Sequence, residues 1–134
     1  MIPEAVFDTN VIVSGLLFPQ SVPGKVLDAI LEGHCRSIVS DAILAEYAEV
    51  LSRPKFNFPH ARINHIIDAF RCVGTPASFA LSKHRSQFPD PDDLIFVEAA
   101  LSLNSVLVTG NKRHYPAPLM QGIQVLSPAE FLST

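Results

Sequence analysis

The sequence has no tryptophan, two tyrosines, two cysteines and six glycines in 134 residues. Two cysteines are too few for a disulfide framework. Their contexts, Gly33-His34-Cys35 and Arg71-Cys72-Val73, match no metal motif, so the expectation is reduced thiols in a cytoplasmic protein. A basic excess is also missing. The net charge is -3, which gives no sign of a basic nucleic-acid-binding domain. Attraction for a polyanion would have to come from a local patch or a bound cation. No apolar run reaches the roughly 18 residues that span a membrane. Met1-Ile2-Pro3-Glu4 has neither the basic nor the apolar region of a signal peptide, so no membrane association is expected. There is no internal repeat, glycine-rich phosphate loop, nucleophile elbow or metal-spaced pair of histidines or cysteines. His34, His60, His65 and His84 are scattered and read as surface or core residues.

What remains is 48% hydrophobic residues, enough for the core of one domain over residues 1–134. Apolar runs at Ala5–Phe7, Arg36–Val39, Ala77–Leu81, Val106–Val108 and Ile123–Leu126 read as short buried strands. Helical spacing covers Val11–Leu17, Gly24–Leu31, Asp41–Leu51, His60–Cys72, Asp92–Leu103 and Pro128–Leu132. Asn10 and Ser40 are placed to cap the first and third helices, and Pro19–Pro23 reads as a loop. Strands alternating with helices predict an α/β fold with a central parallel sheet covered on both faces. Ligand sites in such sheets lie beyond the carboxyl ends of the strands. Asp8, Ser40 and Thr109 all fall there.

The carboxylates then need weighing one at a time. Asp8 follows three apolar residues and precedes a helix, so it is either a helix cap or a ligand at the sheet edge. In Asp41–Leu51, at about 100° per residue, Ile43, Leu44, Tyr47, Val50 and Leu51 share one face. Glu46 lies about 90° from its centre, at the border, where it can line a cleft. Glu49 lies about 150° away, towards water. Asp90-Pro91-Asp92-Asp93 places three acids at a helix start. One can cap the helix, and Asp90 is the candidate. Three crowded carboxylates repel unless a cation neutralises them, which marks Asp93, then Asp92, as ligands for a hard ion. Glu98, within the same helix, either faces solvent through a narrow polar stripe or supports the site. Thr109-Gly110-Asn111 ends a strand and is either a plain turn or a place where Thr109 and Asn111 meet a metal or phosphate.

Together these residues resemble the PIN-domain family of metal-dependent ribonucleases along nearly the whole chain. The resemblance runs through Val6-Phe7-Asp8-Thr9-Asn10-Val11, Ser40 before a helix carrying Glu46, Asp90-Pro91-Asp92-Asp93, and Leu107-Val108-Thr109-Gly110-Asn111. The acidic stretch and Lys112-Arg113-His114-Tyr115-Pro116 look most like the branch of toxin components of prokaryotic toxin-antitoxin pairs. The resemblance implies a three-layer α/β/α PIN-like fold, an acidic cluster binding Mg²⁺ or Mn²⁺, and endonucleolytic cleavage of RNA. It places the family's acids on Asp8, Glu46 and Asp93, with Asp92 as the alternative third, and the adjoining polar positions on Asn10 and Thr109. It further implies an antitoxin protein as partner and a homodimer, to which apolar residues near Phe56 and Phe58 could contribute. Many members carry a fourth acid where this chain has Asn111, which puts a second metal in doubt. Lys112, Arg113 and His114 either grip the RNA backbone or form an ordinary solvated turn. Two rival readings stand beside this one. The first is a PIN-like module that binds RNA or protein without catalysis. The second is a phosphatase of the haloacid-dehalogenase kind, which would require an acid where Asn10 stands.

Overall fold

A computed structural model of the protein describes residues 2–134. β1 (Glu4–Phe7), β2 (Arg36–Val39), β3 (Thr75–Pro76), β4 (Val106–Val108) and β5 (Val125–Leu126) form one sheet in the order β3-β2-β1-β4-β5. Every neighbouring pair is parallel, with Ala5 opposite Ser37 and Val106, and Phe7 opposite Val108. Strands this short and this apolar, such as the fully buried Ala5, Val6 and Phe7, are what a sheet covered on both faces requires.

The helices are α1 (Thr9–Leu17), α2 (Val22–Leu31), α3 (Asp41–Leu51), α4 (His60–Val73), α5 (Leu94–Leu103) and α6 (Pro128–Leu132). α1 and α6 both pack on α2, and α3 packs on both α4 and α5. The result is the three-layer α/β/α arrangement. Serine side chains set several starts. Ser40 accepts from Ile43 N at 3.1 Å, Ser21 accepts from Gly24 N at 3.2 Å, and Ser127 forms a reciprocal box with Glu130. Gly24 is needed where α2 meets the end of α1. A Cβ there would lie 2.2 Å from the Pro19 carbonyl oxygen.

Chain order reverses between β1 and β4, which are neighbours although most of the sequence separates them. Their carboxyl ends open a crevice at this switch point, the place where open parallel sheets hold ligands. Asp8 follows β1 and Thr109 follows β4.

Several boundaries depart from the sequence expectation. α2 begins at Val22, inside the expected Pro19–Pro23 loop, because Ser21 caps it and Pro23 fits its first turn. The third strand is Thr75–Pro76 rather than Ala77–Leu81. Its neighbour β2 ends at Val39 and turns into α3, so after Ala77 N donates to Val39 O at 2.8 Å no partner remains. Phe79 and Leu81 are left exposed. The last strand is shorter than expected, Val125–Leu126. The helix expected from Asp92 opens as a 3-10 turn, Pro91–Asp93, before α5 begins at Leu94. α1 starts at Thr9, so Asn10 lies inside its first turn and Asp8 takes the capping position. Phe56 and Phe58, near the apolar residues that could contribute to a homodimer, stack on each other at 5.9 Å and are half-buried against the core. The exposed aromatics are Phe18 and Phe79.

Candidate metal centre

Asp8 occupies the N-cap position of α1, yet its side chain caps nothing. The carboxylate is buried and turned across the crevice. Its Oδ2 accepts from Thr109 Oγ1 at 2.9 Å, from Tyr115 OH at 2.9 Å and from Asn10 Nδ2 at 3.3 Å. Spending three donors on one oxygen fixes the carboxylate's orientation, and none of the three takes up Oδ1. This arrangement removes the helix-cap alternative for Asp8.

Asn10 stitches the two strand ends together. Besides Asp8, its amide reaches Thr109 Oγ1 at 3.4 Å, and its Oδ1 accepts from Gly110 N at 3.0 Å. Thr109 Oγ1 also accepts from Asn111 N at 3.0 Å. Beneath them, Tyr47 of α3 donates to the Phe7 carbonyl, tying α3 to the end of β1.

Asp93 is 8% exposed. Burial, with Asp8 and Asp90 nearby, pushes its carboxyl up to about 6, against a smaller opposing pull from His114. His114 Nδ1 lies 3.0 Å from Asp93 Oδ2, off the line that a hydrogen bond needs, so Oδ2 is buried with no hydrogen-bond partner. Ligand atoms of Asp90, Asp93 and His114 fall within 4.8 Å of one another. Asp90 has the capping role expected of it, its Oδ1 accepting from Asp92 N at 2.9 Å.

Glu46 is half-buried and Glu49 is exposed, in line with the helical geometry. Glu49 pairs with Arg53 at 3.0 Å. Burial, Glu49, Asp92 and Asp8 raise the Glu46 carboxyl above its ordinary value, with Arg53 opposing. Asp92 is exposed, its charge acts on Glu46, and it is not in the tight group that contains Asp93. The charge of Asp8 acts on both Asp93 and Glu46, which puts the three acids around one crevice. The structure does not gather Asp8, Glu46 and Asp93 into one 4.8 Å group, and the tight group contains Asp90 and His114 instead.

The remaining candidates have defined places. The Asn111 Oδ1 accepts from Arg113 N at 3.3 Å, capping the 3-10 turn Lys112–His114. Lys112 pairs with Glu130 at 2.5 Å, and this bond with the Ser127 contacts pulls the Glu130 carboxyl down to about 2. Arg113 is exposed. Glu98 neither faces a solvent stripe nor touches the site. It accepts from Arg85 and from Ser82 N, fastening the segment before Asp90.

Two residues at the centre escape the sequence reading, Tyr115 and, as a member of the tight cluster, Asp90. Tyr115 is 2% exposed. Burial, then Asp8 and Asp93, hold its phenol far above the ordinary range, so it only donates. The one available signal was a tyrosine immediately after a polar turn in a chain with two tyrosines.

Residues 4–113 match the family described as PIN domain. The chain belongs to the PIN-domain family. Among its relatives is the uncharacterized protein MJ1680 of Methanocaldococcus jannaschii, 31% identical over 112 residues, covering 81% of this chain and 71% of that one. Two solved structures share the fold. One is VapBC2 from Rickettsia felis bound to a DNA fragment from its promoter, at TM-score 0.60 and 15% identity, covering 92% of this chain and 98% of that one. The other is FitAB bound to the IR36 DNA fragment, at TM-score 0.60 and 20% identity, covering 92% and 94%. At these identities the likeness speaks for the PIN fold alone.

The residues fit the metal that a PIN domain implies. Asp8, Glu46, Asp90 and Asp93 supply hard oxygen donors. Burial first, and like charges after it, hold Asp93 and Glu46 above their ordinary values, and a divalent cation relieves the repulsive part. The buried, unpartnered Asp93 Oδ2 is an oxygen that such an ion would satisfy.

Proposed function

We propose that this PIN domain is a metal-dependent endoribonuclease that hydrolyses RNA phosphodiester bonds, and that it is the toxin of a toxin-antitoxin pair. The observation that carries the enzymatic reading is Asp8. A buried carboxylate held by Thr109, Tyr115 and Asn10, facing a second buried carboxylate at Asp93, makes little structural sense unless a cation stands between them.

Asp8, Glu46 and Asp93 would hold Mg²⁺ or Mn²⁺, with Asp92 and Asp90 adding negative field. A bound divalent ion supplies a more acidic water and neutralises charge developing on the phosphate. The protein's own contributions follow from placement. Asp8 and Asp93 are buried and serve to bind. Glu46 is half-exposed at the crevice border, where it can orient the attacking water or take its proton. Asn10, Thr109 and Asn111 position groups at the two strand ends. Arg113, beside the crevice, offers a cationic contact to the RNA backbone, with His114 next to it. Lys112 adds to that field only after releasing Glu130.

The toxin reading draws support from the toxin-antitoxin complexes among the fold's neighbours. An antitoxin would silence the protein by covering the crevice. The test is incubation of the purified protein with single-stranded RNA and single-stranded DNA of one sequence, with Mn²⁺ or with EDTA. RNA cleavage that needs Mn²⁺ supports the reading. Cleavage of DNA alone, or cleavage unaffected by EDTA, contradicts it.

A further inference from the structure

The starting point is Asn111. The family resemblance puts a fourth acid at that position, and this chain has an amide whose oxygen is occupied by the backbone N–H of Arg113. The same bond closes the 3-10 turn Lys112–His114, and His114 N donates to Asn111 O at 3.2 Å. The turn carries the imidazole of His114 back over the crevice to Asp93. Its Nδ1 stops 3.0 Å from Asp93 Oδ2 without a hydrogen-bonding alignment, and that oxygen is buried and otherwise unpartnered. Neighbouring ligands at right angles around an ion with bonds of about 2.1 Å sit about 3.0 Å apart. A nitrogen and an oxygen at that separation without hydrogen-bonding alignment, with an Asp90 ligand atom in the same 4.8 Å group, have the geometry of adjoining ligands.

We propose that His114 is a nitrogen ligand of the metal bound at Asp93, standing in for the carboxylate that position 111 lacks. This inference rests on the metal-dependent reading above. Exchanging a carboxylate for an imidazole has two chemical consequences. The site carries one negative charge fewer, which weakens its hold on hard Mg²⁺. It also gains a donor that suits transition metals better than alkaline-earth ions. The protein is therefore selective for Mn²⁺ over Mg²⁺, and His114 sets that preference.

The test uses the full chain and the metals alone, with no RNA. MnCl₂ and MgCl₂ are titrated into the wild type, His114→Ala and His114→Asp, and the Mn²⁺-loaded proteins are examined by electron spin-echo envelope modulation for coupling to ¹⁴N. The wild type shows nitrogen coupling. In His114→Ala the coupling disappears and the Mn²⁺ affinity falls about tenfold or more, while Mg²⁺ affinity changes much less. In His114→Asp, Mn²⁺ still binds, nitrogen coupling is absent and the preference shifts towards Mg²⁺. This second variant separates loss of a ligand from loss of the fold. Absence of nitrogen coupling in the Mn²⁺-loaded wild type, or wild-type Mn²⁺ affinity in His114→Ala, overturns the proposal and leaves His114 as an ion-pair partner of Asp93. Nitrogen coupling in a protein that cleaves no RNA overturns the nuclease reading and leaves this one standing.

Discussion

Asp8 accepts three hydrogen bonds on one oxygen, and each has a separate consequence. Replacing Tyr115 by Phe removes the 2.9 Å bond and leaves the apolar ring in place. A hydrogen bond to a charged group contributes roughly 1.5–3 kcal/mol, so unfolding stability falls by about that amount in urea titrations. The carboxylate also loses one of its orienting contacts, so metal-dependent cleavage slows on the order of tenfold. An unchanged rate would mean that Thr109 and Asn10 suffice to hold Asp8. Asp93 gives a pH prediction for the metal-free protein. Its folded-state carboxyl is pushed up to about 6 from an ordinary value of 3.8 by burial, Asp8 and Asp90, with His114 facing it in opposition. A raised acid favours the protonated fold. Its contribution is fully present below about 3.8 and is lost as pH rises through about 6. In EDTA, the wild type should lose ~1–3 kcal/mol relative to Asp93→Asn between pH 4 and 7.5. Parallel stability curves for the two proteins contradict this. At this scale the sequence reading picked out Asp8, Glu46 and Asp93 as candidates because each sits at a strand end, helix border or helix start with an interpretable pattern. Tyr115 and Asp90 were not legible in their present roles. Both depend on where an irregular turn delivers a side chain, and no periodicity encodes that.

The elements explain why the site is open at one edge. α3 is anchored by the Ser40 cap and by Tyr47 on the Phe7 carbonyl, contacts about two helical turns apart, so Glu46 is held at the border of the crevice. The approach of α2 to α1 is fixed by Gly24, where a Cβ would meet the Pro19 carbonyl oxygen at 2.2 Å. Gly24→Ala should lower stability by ~1–3 kcal/mol, read as a drop in thermal midpoint, because backbone rather than a flexible side chain must move. A midpoint equal to wild type would show that the α1–α2 turn adjusts freely. Helices were legible from spacing and serine caps, and β1, β2 and β4 from apolar runs that end in polar residues. The third strand was not. Ala77–Leu81 has the composition of a strand, but pairing depends on the length of its neighbour, and β2 ends at Val39. Asn10 was misassigned as a cap for a similar reason. Its amide is used across the sheet by Gly110, a contact between residues 100 positions apart.

Across the whole molecule, a net charge of -3 sits on a protein whose proposed substrate is a polyanion. The acids of the crevice repel RNA as well as one another, and a bound divalent ion reverses both effects at once. Metal binding to the folded form alone should raise the thermal midpoint, increasingly with the logarithm of ion concentration above the dissociation constant, and this increase should vanish in Asp8→Asn if Asp8 anchors the ion. The parallel sheet was expected from alternating strands and helices, with Asp8 and Thr109 beyond its strand ends; the strand order that makes β1 and β4 neighbours at a switch point was not. The most direct test of the central claim is the rate of cleavage of a defined single-stranded RNA in Mn²⁺ by wild type and by Asp8→Asn, with circular dichroism of both. The account predicts cleavage by the wild type that EDTA abolishes, none by a fully folded Asp8→Asn, and the same spectrum for the two proteins. Wild-type cleavage by Asp8→Asn, or no cleavage by a metal-loaded wild type on any RNA offered, contradicts it.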